Sequence, residues 1–199
     1  MNRSVLGALA LCVAATAAAQ PATPNLRLRG TIEKVDATSM VVKERNGQSM
    51  NLVMADNLSV SEALPIDPGA IQSGTFVGTA SIAGPDGSLS ALEVLVFPEA
   101  MRGTGEGHSN WDLQPGSMMT NATVATVTSG TSGRKLTLRY KDGEKTIVVP
   151  DGVPIVTLRL ADRSLLVPGA KVIVTAQNRD GKLTAVRLTA GRDGFTPPM

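Results

Sequence analysis

Apolar and polar residues alternate over parts of Leu26-Arg-Leu-Arg-Gly-Thr-Ile-Glu-Lys-Val35, and a period of two predicts a half-buried strand. The same reading continues down the chain. Strands are expected near 26–36, 39–46, 48–55, 75–82 and 89–97, and again near 122–129, 135–141, 144–150, 170–177 and 183–190. Four Asx-Gly pairs, Asn46-Gly47, Asp86-Gly87, Asp142-Gly143 and Asp180-Gly181, sit between apolar runs. Asx-Gly accepts the positive φ of a tight hairpin turn, so each pair predicts a hairpin. No segment carries the 3.6-residue period of a long amphipathic helix, and Pro and Gly interrupt the chain too often for one.

The two sets of strands are copies. Thr31-Ile-Glu-Lys-Val35 matches Thr123-Val-Ala-Thr-Val127, and Met40 to Gly47 matches Leu136 to Gly143. Gly74 to Ala80 matches Gly169 to Thr175, and Asp86 to Val94 matches Asp180 to Leu188, all at offsets of 92 to 96. Four matched segments in one order indicate an internal duplication. Within each copy a longer stretch follows the third strand, Ala55 to Gly74 and Asp151 to Gly169, with room for a short extra strand at Leu58–Val60 and Pro154–Leu158. Five strands with a long connection after the third outline an OB-like small β-barrel; a small sandwich or SH3-like barrel fits the same pattern. The expected architecture is all-β, two tandem five-stranded barrels at 20–97 and 121–192. An ordered linker at 98–120 joins them, and a short tail covers 193–199. A single sheet running through both halves would exclude separate barrels.

The linker breaks both periodicities and holds the only His, His108, and the only Trp, Trp111. A loose tether would be Ser- and Gly-rich throughout. This one carries Trp111, Leu113, Met118 and Met119, which predicts a segment packed between the barrels with Trp111 as its anchor. Two OB-like copies joined by RGTGEGHSNWDLQPGSMMTNATV resemble a family of exported bacterial proteins of unknown function built from tandem OB-like domains. The resemblance spans nearly the whole chain beyond the N-terminal run. It implies the fold and the compartment, and it supplies no catalytic residues.

The N-terminus supports the compartment. Arg3 precedes a 15-residue apolar run, Val5 to Ala19, that ends in Ala17-Ala18-Ala19. This is the pattern of a signal peptide over 1–19, with Gln20 as the first mature residue and the periplasm or cell exterior as destination. A short membrane anchor is the competing reading. Lipidation at Cys12 is discounted, because Leu11 precedes it and it lies inside the apolar run. Cleavage removes the only cysteine, so the mature chain is expected to fold without disulfides. No second long apolar run predicts an integral membrane segment.

Charge is uneven. Residues 20–97 hold five basic and eight acidic side chains, 98–118 one and three, and 119–199 twelve and six. An anionic partner for the second half, docking of one half on the other, or an uneven solvated surface each account for this.

Little chemistry is legible. Single-strand nucleic-acid binding needs aromatic platforms, and the second copy has only Tyr140 among its strands, so no nucleic-acid partner is expected. Gly103-Thr-Gly-Glu-Gly107 lacks a phosphate-loop lysine, and its glutamate would repel phosphate. No Gly-x-Ser-x-Gly elbow is present, so no catalytic residue and no cofactor is assigned. What remains is a non-catalytic binding or structural module for a cell-envelope component, a glycan or a protein. Its candidate ligand residues are His108, Trp111, Asp112 and Arg102. The alternative is a copper or zinc carrier using His108, Glu106, Met101 and Met118, since imidazole with carboxylate suits zinc and imidazole with thioether suits copper(I).

Overall fold

The computed structural model of the protein describes residues 25–131 and 133–198; the signal-peptide stretch expected at 1–19 lies outside them. The described chain is all-β. Its strands are β1 (Leu26–Val35), β2 (Ser39–Glu44), β3 (Ser49–Pro65), β4 (Phe76–Ala83), β5 (Leu89–Val96) and β6 (Gly107–Asn110) in the first part. They continue with β7 (Met118–Gly130), β8 (Gly133–Tyr140), β9 (Gly143–Val149), β10 (Ile155–Ala161), β11 (Lys171–Arg179) and β12 (Lys182–Ala190). Single 3-10 turns occupy Pro68–Ala70, Glu99–Met101 and Arg163–Leu165.

The hairpins follow the turn chemistry. Gly47, Gly87 and Gly181 take φ of 90°, 78° and 77°, and Asp180 joins Gly181 at 52°, the left-handed pair that matches strand twist in a two-residue turn. The fourth pair behaves differently. Tyr140 lies opposite Gly143, so Lys141-Asp142 makes the turn and Gly143 opens β9.

Strands β1, β2 and β3 pair antiparallel in sequence. β12 then runs parallel to β3, β11 pairs with β12, and β11 returns to β1, giving a closed five-stranded barrel. Leu28, Ile32, Met40, Leu52, Val174 and Leu188 fill it, and Leu165 and Leu166 pack into the same cluster. A second circuit closes in the same order. β7, β8 and β9 pair in sequence, β5 runs parallel to β9, and β4 joins β5 back to β7. Its interior holds Val77, Val94, Val124, Leu136, Leu138 and Ile147.

Each circuit therefore draws on both copies, which corrects the expected tandem arrangement. The first three strands of one copy close with the last two strands of the other, and all twelve strands belong to one sheet. The physical cause is the length of β3. It does not stop at Ala55 but continues to Pro65, carrying the chain roughly 35 Å further at about 3.3 Å per residue. The ten residues before β4 then deliver that strand to the distant circuit. The second copy does the same through β10, after a break at Pro150 and Pro154, which cannot donate to a strand ladder.

The two extensions form an antiparallel ribbon between the circuits, with Ala63 opposite Leu158 at its middle. These residues stand 95 apart, inside the repeat offset, so the ribbon pairs equivalent extensions of the two copies with each other about a local dyad. Glu62, 2 % exposed, sits in this ribbon and binds both Arg159 (2.7 Å) and Arg192 (2.9 Å). The hydrogen bonds from Arg192 and Arg159 hold its carboxyl below the usual range. Among the described residues no helix is long and apolar enough to cross a membrane.

Candidate functional site

The segment between β5 and β7 lies along the junction of the two circuits. A 3-10 turn at Glu99–Met101 is followed by β6, which pairs antiparallel with Met118–Asn121 of β7. Those β7 residues are thus flanked by β6 on one side and β4 on the other. After β6 the chain turns back through Trp111–Ser117. Trp111 N–H donates to Ser117 O (2.9 Å), and the single proton of the Ser117 hydroxyl is shared between Gln114 O (2.7 Å) and Trp111 O (3.0 Å). Ser117 is buried, so these bonds form where water does not compete.

Trp111 docks on β1. The Arg27 guanidinium lies over its ring, 3.9 Å from the centroid, and Arg29 stands at 6.0 Å. Alternation along β1 puts both arginines on the face opposite Leu28, which points into the barrel. Asp112 then binds the two together: its Oδ1 accepts from Arg27 Nη1 (2.8 Å) and Arg29 Nη2 (2.7 Å). Partial burial works to raise the Asp112 carboxyl, but the hydrogen bond and charge of Arg29, and then those of Arg27, hold it below its ordinary value. Arg29 is itself buried, so the ion pair joins the linker to the barrel beneath Trp111.

Beside this anchor lies a cavity of about 360 Å³. It takes Arg27, Ile173 and Arg187 from one circuit, Leu95, Met119 and Asn121 from the other, Leu158 from the ribbon, and Met101 and Trp111 from the linker. Two polar atoms of this wall are covered and lack a hydrogen-bond partner among the described residues: Trp111 Nε1, a donor, and Asn121 Oδ1, an acceptor. The Asn121 amide nitrogen is engaged by Thr104 O (3.1 Å).

A buried carboxylate stands nearby in β5. Glu93 is fully covered, and its Oε1 accepts from Ala80 N–H (3.1 Å) at a bulge between β4 and β5. Among the described residues its Oε2 has no partner. Burial pushes its pKa up to about 8, against the Ala80 hydrogen bond and the Arg29 charge, so at neutral pH the group is mostly protonated.

The candidate residues named from the sequence divide. Trp111 and Asp112 come together on Arg27 and Arg29. His108 lies on the other side of β6, among Ser88, Lys135 and Lys145, with Nδ1 2.8 Å from the Thr120 hydroxyl. Burial, aided by Lys145, lowers its pKa. Arg102 is held by Glu99 (2.6 Å) and Gly74 O (3.0 Å), 6.0 Å from the Phe76 ring, and pins the 3-10 turn to the start of β4.

Of the four residues of the metal alternative, His108 and Met118 share a face of the β6–β7 pair, and Met101 and Glu106 are engaged elsewhere. Met101 lines the inter-circuit cavity, Met118 lies opposite Asn110, and the Glu106 carboxylate accepts from Lys141 N–H (3.1 Å). Among the described residues no three His, Cys, Asp or Glu side chains converge.

Sequence reasoning missed Arg27, Arg29, Glu93, Asn121 and Arg187. Two signals were present: arginines at alternate positions of one strand, and a lone glutamate in the apolar run Ala91 to Phe97. Neither says which strand faces it. No family model, curated protein or solved structure matches the chain.

Proposed function

We propose that the protein is a non-catalytic, exported binding module with two OB-like barrels, and that its ligand site is the cavity between them. The closing order supports the OB-like reading: three strands in sequence, then a fifth parallel to the third, then a fourth returning to the first, seen in both circuits. The N-terminal apolar run ending in three alanines supports export to the periplasm or cell exterior. The ligand class is a cell-envelope component, a glycan or a protein.

One observation carries the reading. The cavity joins an apolar wall to two covered polar atoms without partners, and leaving such an atom unpaired costs about 1–3 kcal/mol. A site that tolerates this cost is where a ligand is expected to meet it. The chain's one histidine does not line the cavity but lies across β6, bonded to Thr120.

Capture tests this directly. Mature protein starting at Gln20, immobilised and exposed to solubilised envelope glycans and proteins, should retain a component that Trp111→Ala no longer holds. Equal retention by Trp111→Ala would remove the cavity from the function. Fractionation of expressing cells, with mass determination of the exported chain, tests the compartment; a cytosolic chain retaining Met1 would overturn it.

A further inference from the structure

The wall of the inter-circuit cavity poses three chemical demands at once. Trp111 Nε1 needs an acceptor, and Asn121 Oδ1 needs a donor. Arg187, exposed on β12 at the rim, has no ion-pair partner among the described residues. A secondary amide presents one acceptor and one donor, and so answers the first two together. A carboxylate answers the third, best as a forked pair with the guanidinium. The apolar part of the wall, Leu95, Phe97, Met101, Leu158 and Ile173, suits an apolar side chain, and Thr104, Ser109, Thr175 and Thr189 add hydroxyls beside it.

We propose that the cavity takes the carboxy-terminal end of a peptide with an apolar last residue. Its free carboxylate lies at Arg187, its last amide at Trp111 Nε1 and Asn121 Oδ1, and its final side chain against Leu158 and Ile173. This rests on the binding reading above and names the ligand class. Two observations favour a peptide end over a sugar. Arg27 already covers one face of the Trp111 ring at 3.9 Å, a face that a sugar ring would otherwise stack on. Leu95, Met101, Met119, Leu158 and Ile173 also give the wall an apolar part, beside the hydroxyls of Thr104, Ser109, Thr175 and Thr189, and that part suits a terminal apolar side chain and offers a sugar hydroxyl no partner.

Size favours a chain end. About 360 Å³ is at the small end for ligand sites, room for a terminal residue and its amide but not for a chain running through. Both orphan atoms are screened from solvent, so the ligand meets them by displacing a flexible wall. Met101 and Met119 are unbranched, and Arg27 is held in part by an exposed carboxylate, which makes such a wall.

Trp111 is the only tryptophan, so its emission reports on the cavity alone. The test uses the mature full chain and four probes: N-acetyl-alanyl-valyl-leucine, its carboxamide, N-acetyl-alanyl-valyl-lysine and tri-N-acetylchitotriose, each followed by Trp111 emission and calorimetry. The free acid is expected to saturate the signal, with the carboxamide and the lysine peptide each about tenfold weaker or more. Arg187→Gln should abolish the preference for acid over carboxamide at unchanged melting temperature. Asn121→Ser, and Trp111→Phe followed by calorimetry, should weaken both leucine peptides.

Equal affinity for acid and carboxamide, or a preference surviving in Arg187→Gln, would overturn the proposal. Chitotriose binding that is lost in Trp111→Phe, without peptide binding, would overturn it too while leaving the binding module standing. If no probe binds, and envelope capture is the same for Trp111→Ala as for the unaltered chain, the peptide proposal and the binding reading fall together.

Discussion

The Arg27 guanidinium lies 3.9 Å from the centre of the Trp111 ring and 2.8 Å from the Asp112 carboxylate, so one side chain clamps two neighbouring linker residues to β1. A cation over an indole contributes roughly 0.5–2 kcal/mol, the higher figure when water is excluded. Arg27→Ala is expected to lower stability by about 1 kcal/mol. It should also shift Trp111 emission to the red and raise its quenching by acrylamide. Asp112→Ala should cost more, about 1–3 kcal/mol, because it takes a carboxylate from the buried Arg29 as well. Urea melts of both variants check the order; a larger loss for Arg27→Ala would show that ring stacking outweighs the ion pair.

Glu93 gives stability a pH dependence of definite sign. Its folded pKa of about 8 lies above the ordinary 4.5. Between these values the unfolded chain has released the proton and the folded chain keeps it, so stability falls as pH rises from about 5 to about 8. One proton sets the limit of the slope at about 1.4 kcal/mol per pH unit. Glu93→Gln keeps an acceptor for Ala80 N–H and cannot ionise. Melting temperatures from pH 5 to pH 8.5 should decline for the unaltered chain and stay flatter for Glu93→Gln. Parallel profiles would mean that Glu93 ionises freely in the fold.

Gly30 should tolerate no side chain. It stands where β1 leaves its pairing with β11 and takes up β2, and a Cβ placed there would lie 2.1 Å from Lys43 O and 2.8 Å from Lys43 C. Both are backbone atoms that cannot swing away. Gly30→Ala is expected to cost about 3 kcal/mol or more, seen as a lower urea midpoint or loss of soluble protein. A loss under about 1 kcal/mol would mean that β1 and β2 can part there without disturbing the barrel.

Reciprocal closure predicts how the halves behave apart. Residues 20–104 carry β1 to β5, but β4 and β5 find their partners in β7 and β9, and β1 and β3 find theirs in β11 and β12. Expressed alone, this half should be unfolded or a strand-exchanged dimer, and likewise 105–199. Co-expressed, the halves should form a stable one-to-one complex with the far-ultraviolet spectrum of the whole chain. A monomeric, cooperatively folding half would show that each copy can close on itself.

The strands and the hairpin turns follow from local chemistry. Period-two alternation and Asx-Gly pairs depend on a few neighbouring residues, and nearly every expected strand lies within a few residues of an observed one. Even there Lys141-Asp142 displaced Asp142-Gly143 as the turn, because the register of β8 on β9 decides which two residues are left over.

The repeat likewise stated which strands are equivalent. It did not state which copy each one pairs with, since equivalent strands offer the same faces to either partner. That choice was made by Ala55 to Pro65, which continue as strand instead of turning back, and by their pairing with β10 about Ala63 and Leu158.

The site divides in the same way. Trp111 was conspicuous in the sequence as a lone large aromatic in a glycine-bearing linker. Arg27, Asn121 and Arg187 were ordinary polar strand residues until three distant strands met at one cavity. Sequence spacing determines the face a side chain occupies on its own strand, and only the packing of that strand against others determines what it faces.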